Sequence, residues 1–214
     1  MTISATTQGL RMGVATSSSR PTVPFDGQVI SETDTDSLQV YKSTAWAPVS
    51  GLTFITSATA SAAASLSVNS CFTSTYANYL LLGNIFGSST QAVVLNIRFR
   101  NGTTDDASAL YTNISTSNTN LGGPTRSYAA LQTSAQIGST STGTGYFQAT
   151  AFNPQLAVQT EVQTNWTNIS ASVVNSQGNG SANFIATTAF DGFSLIPASG
   201  TITGTVRVYG YSNS

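Results

Sequence analysis

Alternating apolar and polar residues, interrupted by turn-forming residues, recur along most of this 214-residue chain. The clearest run is AVVLNIRFR at 92–100, where Leu95, Ile97 and Phe99 are separated by polar or solvent-compatible positions. Successive side chains of a β-strand point to opposite faces, so this period of two predicts a half-buried strand. The pattern therefore favours sheet over helix for the greater part of the chain.

Further strands are predicted wherever similar runs lie between Gly, Ser, Asn and Pro clusters. Turns are predicted at Asp191-Gly192 and at Gly178-Asn179-Gly180, and residues 58–66, ATASAAASL, fit a helix, an edge strand or a loop. About nine strands in the body indicate an all-β fold, an antiparallel and jelly-roll-like β-sandwich. The further predicted strands are 63–69, 78–86, 128–137, 145–152, 161–174, 182–190 and 202–211.

The first fifty residues differ from this body. Residues 1–20 are rich in Ser and Thr without periodicity and are expected to form an extended arm, and residues 21–50 predict a small β-meander of about three strands. Thirty residues cannot bury a stable core alone, so the apolar side chains of the meander need a partner surface. The predicted domains are 1–20, 21–50 and 51–214, and the side chains expected at a contact are Val29, Leu38, Val40, Tyr41 and Trp46.

Charge is scarce throughout. Charged residues make up 7% of the chain, against about 25% in an average soluble domain. Ser, Thr and Asn occupy 79 of the 214 positions, so the predicted surface consists of hydroxyls and amides. Seven basic and eight acidic residues argue against nucleic-acid and anionic-membrane partners. No membrane span or secretory signal is predicted, because no long apolar run is present.

The candidate chemistry is equally sparse. The chain has no His, which removes the common triads and most zinc sites, and its one thiol, Cys71, is expected to be buried and inert. Glycoside hydrolysis needs two suitably spaced carboxylates. The acids of the body favour turn and solvent roles, so no enzymatic activity, metal or cofactor is predicted; these acids are Asp105, Asp106, Glu161 and Asp191.

A cluster of three acids stands in the N-terminal region. Glu32, Asp34 and Asp36 fall within ETDTD, where carboxylates on one side of an extended segment would suit a hard cation. The favoured alternative is a solvated turn in which the Asp side chains accept hydrogen bonds from backbone amides.

Three stretches resemble parts of a known family. RPTVPFDGQVISETDTDSLQVYKSTAWAPV at 20–49 resembles a module found in tailed-bacteriophage tail fibres and other virion appendages. SLSVNSCFTSTYANYLLL at 65–82 and the ending FDGFSLIPASGTITGTVRVYGYSNS at 190–214 resemble the β-sandwich domain that often follows it. Ser43 departs from the pattern, because the family usually has Gly at that turn.

The resemblance implies a non-enzymatic virion protein, made in the host cytoplasm and usually trimeric. Residues 1–50 would attach to other virion proteins, and the sandwich would face outward and bind host-surface glycans or proteins. A tail fibre or receptor-binding protein is the favoured interpretation. The alternatives are a capsid decoration or head-fibre protein and, more remotely, a polysaccharide depolymerase.

Candidate surface contacts come from strand alternation. In the last predicted strand Arg207, Tyr209 and Tyr211 fall on the face opposite Val206 and Val208. Planar donors and aromatic rings suit carbohydrate or protein contacts, and equally an interface between subunits. Two arginines on the polar face of the strand at 92–100 join this candidate set, Arg98 and Arg100. Trp166 fits either the core or a contact surface.

Overall fold

The computed structural model describes residues 12–49, 51–120, 122–170 and 175–211. The described residues are all-β, and no helix long and apolar enough to span a membrane occurs among them. The strands are β1 (Gly13–Ala15), β2 (Val29–Glu32), β3 (Ser37–Lys42), β4 (Ala45–Pro48), β5 (Leu52–Ala63), β6 (Leu66–Val68), β7 (Asn78–Gly87), β8 (Val93–Asn101), β9 (Thr104–Asp105), β10 (Tyr111–Thr119), β11 (Gly122–Gln132), β12 (Ala135–Thr140), β13 (Thr144–Phe152), β14 (Thr160–Ile169), β15 (Asn175–Phe184), β16 (Gly192–Pro197) and β17 (Ile202–Tyr211).

The chain divides into two compact units between Thr53 and Phe54, three residues after the predicted boundary. The N-terminal small unit is a four-stranded sheet in the order β1-β2-β3-β4. Strands β2, β3 and β4 form the predicted antiparallel meander, and β1 adds to it in parallel to β2.

The described part of the predicted extended arm pairs with the small sheet and makes side-chain contacts with it. Residues 13–15 form strand β1, and the backbone amide of Ser17 donates to Asp34 at 2.9 and 3.0 Å. Arg20 then pairs with Glu32, with 2.5 Å between Nε and Oε1. These contacts join residues 13–20 to the rest of the small unit, because Glu32 at the end of β2 and Asp34 in the β2–β3 turn accept hydrogen bonds from Arg20 and Ser17. Residues 1–11 lie outside the described residues.

One face of the small sheet contains a compact interior. Ile30 is 1% exposed and lies opposite buried Gln39 across the β2–β3 pair. Glu32 is buried on the same face, where Arg20 supplies the opposite charge and the Thr35 hydroxyl donates to Oε2 at 2.7 Å. Polar groups inside this unit are thus paired, as buried polar groups must be.

The second unit is the predicted β-sandwich. Its large sheet has eight strands in the order β11-β10-β15-β14-β13-β7-β17-β5, and its small sheet has the order β12-β8-β16-β6 with β9 paired to β8. Connections such as β7 to β8 and β16 to β17 cross between the sheets, while β13, β14 and β15 form a meander within the large sheet. The core lies between the sheets and includes Leu95, Ile97, Phe99, Phe193 and Leu195 of the small sheet and Tyr79, Leu81, Phe147, Val162, Phe184, Val206 and Val208 of the large sheet.

Several strand predictions need correction. Residues 128–137 do not form one strand: β11 ends at Gln132, and β12 begins at Ala135 in the other sheet. Leu131 adopts a φ of 55°, in the left-handed region, so the chain does not continue there as the single predicted strand. Of the predicted strand 182–190, only residues 182–184 lie in a strand, where they form the end of β15.

The structure also decides between the alternatives for residues 58–66 and corrects one predicted turn. Residues 58–63 belong to β5, which is an edge strand of the large sheet, so the edge-strand alternative is confirmed. The turn predicted at Gly178-Asn179-Gly180 is wrong, because these residues lie inside β15 and pair with both β10 and β14.

Candidate functional site

The outer face of the eight-stranded sheet, which points away from the sandwich core, places polar side chains side by side. Strand pairing aligns them in two adjacent rows that cross the sheet at right angles to the strands. The amide row is Arg207, Leu82, Gln148, Asn165, Asn179 and Thr116. The tyrosine row is Thr205, Asn84, Tyr146, Thr167 and Gln177.

A central cavity of about 570 Å³ opens where the two rows cross β17, β7, β13 and β14. The outward side chains around it are amides, a hydroxyl, one leucine, one tyrosine and one arginine, and no carboxylate is among the residues that line it. The lining consists of Leu82, Gly83, Asn84, Tyr146, Phe147, Gln148, Asn165, Trp166, Thr167 and Arg207.

Two further depressions continue from the central cavity toward β10. One of about 270 Å³ includes Gln177 and Asn179, and the other, of about 410 Å³, includes Gln163 and Ser181. Asn165 lines all three. The outer face therefore carries a shallow depression extending across several strands.

The floor of this region depends on aromatic rings packed against glycine. A Cβ on Gly83 would lie 2.0 Å from the Phe147 ring, and one on Gly178 would lie 2.2 Å from the Trp166 ring. Each ring occupies the space that a side chain would otherwise fill on the neighbouring strand. Trp166 is 5% exposed and belongs to the core, so it is not a surface contact.

Arg207 points outward from β17, as strand alternation predicts, and lies at the central cavity. Its side chain is exposed, and it makes no ion pair or hydrogen bond with any residue that the structure describes. Tyr209 lies farther along the same strand, where its ring makes an edge contact with Phe54 at a centroid distance of 5.6 Å. Tyr209 and Tyr211 are half-buried and are not among the residues that line the cavity.

Arg98 and Arg100 lie on the other sheet and do not join Arg207. The Nε of Arg98 donates to the Thr133 carbonyl at 2.9 Å. Arg100 is 8% exposed and pairs with Asp105 at 2.6 Å. Its expected role in a binding surface is wrong, because the buried guanidinium is occupied within the protein, where it also donates to Ser67 and Ser194.

The five predicted contact residues of the small unit divide between its two faces. Val29 and Val40 face each other across β2 and β3, and Leu38 lies on the same face two residues along. Val29 is 38% exposed and Leu38 42%. Tyr41 and Trp46 are opposite each other on the other face, with ring centroids 5.5 Å apart.

The exposed apolar face of the small unit, defined as Val14, Val29, Leu38 and Val40, also includes a residue of the predicted arm. Val14 is 58% exposed and aligns with Ser31, which aligns in turn with Leu38. The predicted contact surface thus extends to β1.

The carboxylates of the sandwich are engaged in local structure. Asp105 pairs with Arg100, and Asp106 accepts from the Ser108 amide at 2.9 Å. Asp191 accepts from the Gly102 amide at 3.0 and 3.1 Å, and Glu161 accepts from Ser181 and Gln163, each at 3.2 Å.

The ETDTD acids do not converge either. Glu32 faces Arg20, whereas Asp34 accepts from Ser17 and Asp36 lies in the turn with a φ of 48°. Among the residues that the structure describes, no group of three or more potential metal ligands is present.

Sequence reasoning missed most of the central cavity. The alternation in TGYFQATAF and TEVQTNWTNI indicates that Tyr146, Gln148, Asn165 and Thr167 point outward. Their convergence on Arg207 depends on strand order and register, which the alternation does not contain.

No protein-family model, curated protein or solved structure matches this chain.

Proposed function

We propose that this chain is a structural protein of a tailed-bacteriophage virion, a tail fibre or receptor-binding protein that acts as a homotrimer. The observation that carries the proposal is the resemblance of residues 20–49 to the virion-appendage module. Residues of this motif stabilise the small unit. Arg20 pairs with Glu32, and Asp34 accepts hydrogen bonds from Ser17. The motif is thus consistent with a self-contained folding module.

The exposed apolar face of the small unit supports an attachment role. Val14, Val29 and Leu38 leave hydrocarbon in water on a sheet of only four strands. Clustered exposed apolar side chains are typical of surfaces that contact another protein. In this proposal the face contacts other copies of the chain or a neighbouring virion protein.

Adhesion is the proposed activity of the sandwich. Its outer face offers free amides and an exposed tyrosine, while its carboxylates are engaged in structural hydrogen bonds or the Arg100 pair. Polar contacts of this kind are individually weak. Several copies fixed on one particle raise the effective affinity without any new contact.

Immunogold labelling of intact particles tests the proposal. Antibody against the purified chain is expected to decorate the tail, and light scattering is expected to give the mass of three chains. Gold on the capsid would instead identify the protein as a decoration or head-fibre protein. Particles that carry neither label nor chain would contradict a virion role.

A further inference from the structure

We propose that the central cavity on the outer face of the eight-stranded sheet binds a saccharide that carries a carboxylate. The cavity and its chemistry come from the sandwich itself. The identification of the natural ligand as an acidic polysaccharide of the host surface rests on the proposed function.

The size and position of the cavity suit a small ligand. Its volume of about 570 Å³ lies within the range of about 300–1,000 Å³ that is usual for small-molecule sites. Tyr146 and Arg207 are separated by two strand spacings, about 10 Å across the sheet, and by two residues, about 7 Å, along the strands. A ligand that reaches both must be an extended molecule, such as a short run of sugar rings.

The amides supply the hydrogen-bonding chemistry. Gln148 and Asn165 are exposed neighbours on adjacent strands, and their side chains make no hydrogen bond with described residues. Each amide presents a donor and an acceptor, so a pair of them matches neighbouring hydroxyl groups, which also donate and accept. Asn84 adds an amide whose Oδ1 is buried without a partner among the described residues, and rotation toward the cavity would let it accept from a hydroxyl.

The tyrosine supplies an apolar surface. Tyr146 is 48% exposed, although it stands in the middle strands of the sheet between Asn84 and Thr167. An aromatic ring offers an apolar face and a polar hydroxyl, and the C–H face of a sugar ring complements that combination. The amides and the ring together favour a polyhydroxylated ligand over a purely apolar one.

The arginine supplies the preference for an acid. Arg207 is the charged residue among those lining the cavity, and no described carboxylate pairs with it. Glu161 shares the outer face but lies two rows away and accepts from Ser181 and Gln163. A free guanidinium beside neutral amides is suited to two parallel hydrogen bonds with a carboxylate.

The test uses the full-length protein and calorimetric titration with trimers of galacturonate, mannuronate and guluronate. Each trimer is compared with its carboxyl-reduced counterpart, which keeps the ring and loses the charge. We expect at least one uronate trimer to bind at millimolar concentration or below, and its reduced counterpart to bind at least about tenfold more weakly, because it lacks the charge-assisted hydrogen bonds to the carboxylate.

Three variants separate the contributions of the side chains. Arg207→Gln is expected to weaken binding of the acidic trimer about tenfold and to leave the reduced trimer unchanged. Tyr146→Ala should weaken both trimers by similar factors. Arg126→Gln is the matched control, because it removes the same charge from β11, outside the cavity lining, and should change neither affinity.

The results that would overturn the saccharide site differ from those that would overturn the proposed function. The proposal is overturned if no uronate trimer binds, if Arg207→Gln binds as the parent does, or if Tyr146→Ala changes the mass of the assembly, which would mark the cavity as a subunit interface. Binding by a chain that is absent from virions would leave the site intact and overturn the proposed function instead.

Discussion

Among the described residues, two charged side chains are buried, Glu32 and Arg100. Each forms one ion pair, Glu32 with Arg20 and Arg100 with Asp105. Removing one member of such a pair leaves the other desolvated, which costs more than the pair contributes. Arg100 and Asp105 therefore stabilise the loop at 101–106 instead of binding a ligand. Cys71 is a further inert group, because burial raises the pKa of its thiol to about 12.

The Glu32 pair makes the small unit sensitive to acid. The hydrogen bond from Arg20 is the main cause that lowers the pKa of Glu32 below its usual value. A carboxyl with a lowered folded-state pKa stabilises the fold above its unfolded pKa of about 4.3, and this contribution is lost as the pH falls through the folded pKa. Protection of residues 12–49 in hydrogen exchange is thus expected to fall below about pH 4.3.

Glu32→Gln is the control for this pH dependence. The variant has no carboxyl to titrate at this position, so it should be less protected than the parent at neutral pH and lose less on acidification. Asp34 also has a lowered pKa, through hydrogen bonds from Ser17, so a residual slope in the variant is expected. Identical acid profiles for parent and variant would show that the pair contributes nothing.

Ser43 is a strained residue in the β3–β4 turn. Its φ is 52°, in the left-handed region that glycine adopts at little cost, and its amide donates to Asp26 at 2.6 Å. Ser43→Gly is expected to stabilise the small unit by about 1 kcal/mol in denaturant unfolding, since the strain removed exceeds the entropy gained by the unfolded chain. Ser31→Gly, within β2, should destabilise it, and a loss of stability in both variants would contradict the strain argument.

At the scale of the element, β15 shows how packing overrides a turn motif. Gly178 pairs with neighbours on both sides, and the Trp166 ring fills the place of its missing side chain. A methyl group there would collide with the ring and with the Thr116 carbonyl, 2.6 Å away. Glycine is therefore required by a close approach within a strand.

Substitution of this glycine has a definite expected cost. Gly178→Ala should reduce the free energy of unfolding by about 2–3 kcal/mol, as overpacking usually does. Gly123→Ala is the matched control in β11, where no atom lies within 4 Å of the added carbon, and it should be nearly neutral. Thermal unfolding of the two variants makes the comparison, and equal melting temperatures would refute the packing argument.

The whole molecule combines two separately folded units with different surfaces. The small unit exposes the apolar face of Val14, Val29 and Leu38, and the outer face of the sandwich combines amides and hydroxyls with exposed apolar side chains such as Ile114 and Tyr128. Charged residues form 7% of the chain, so little electrostatic repulsion opposes association of copies. Under the proposed function, the small unit supplies the attachment surface and the sandwich supplies the polar contacts.

Attachment through the small unit can be tested on particles. Deletion of residues 1–50 is expected to leave a folded sandwich that does not incorporate, and Leu38→Glu in the full chain should also prevent incorporation by placing a charge on the exposed apolar face. Ile114→Glu is the control, because Ile114 is 56% exposed on the sandwich. Immunoblots of purified particles measure the outcome, and incorporation of the Leu38 variant at the parent level would exclude this face.

Local alternation and composition determined the all-β class, the three-stranded meander and the neutral polar surface, because the two-residue period of a strand and the scarcity of charge are properties of short segments. Alternation also placed Arg207 on an outer face. Tertiary structure alone decided that Arg207 and Tyr146 line the same cavity and that Arg100 is buried. Those outcomes depend on strand order and register between segments distant along the chain, and register is selected by the packing of the whole sandwich.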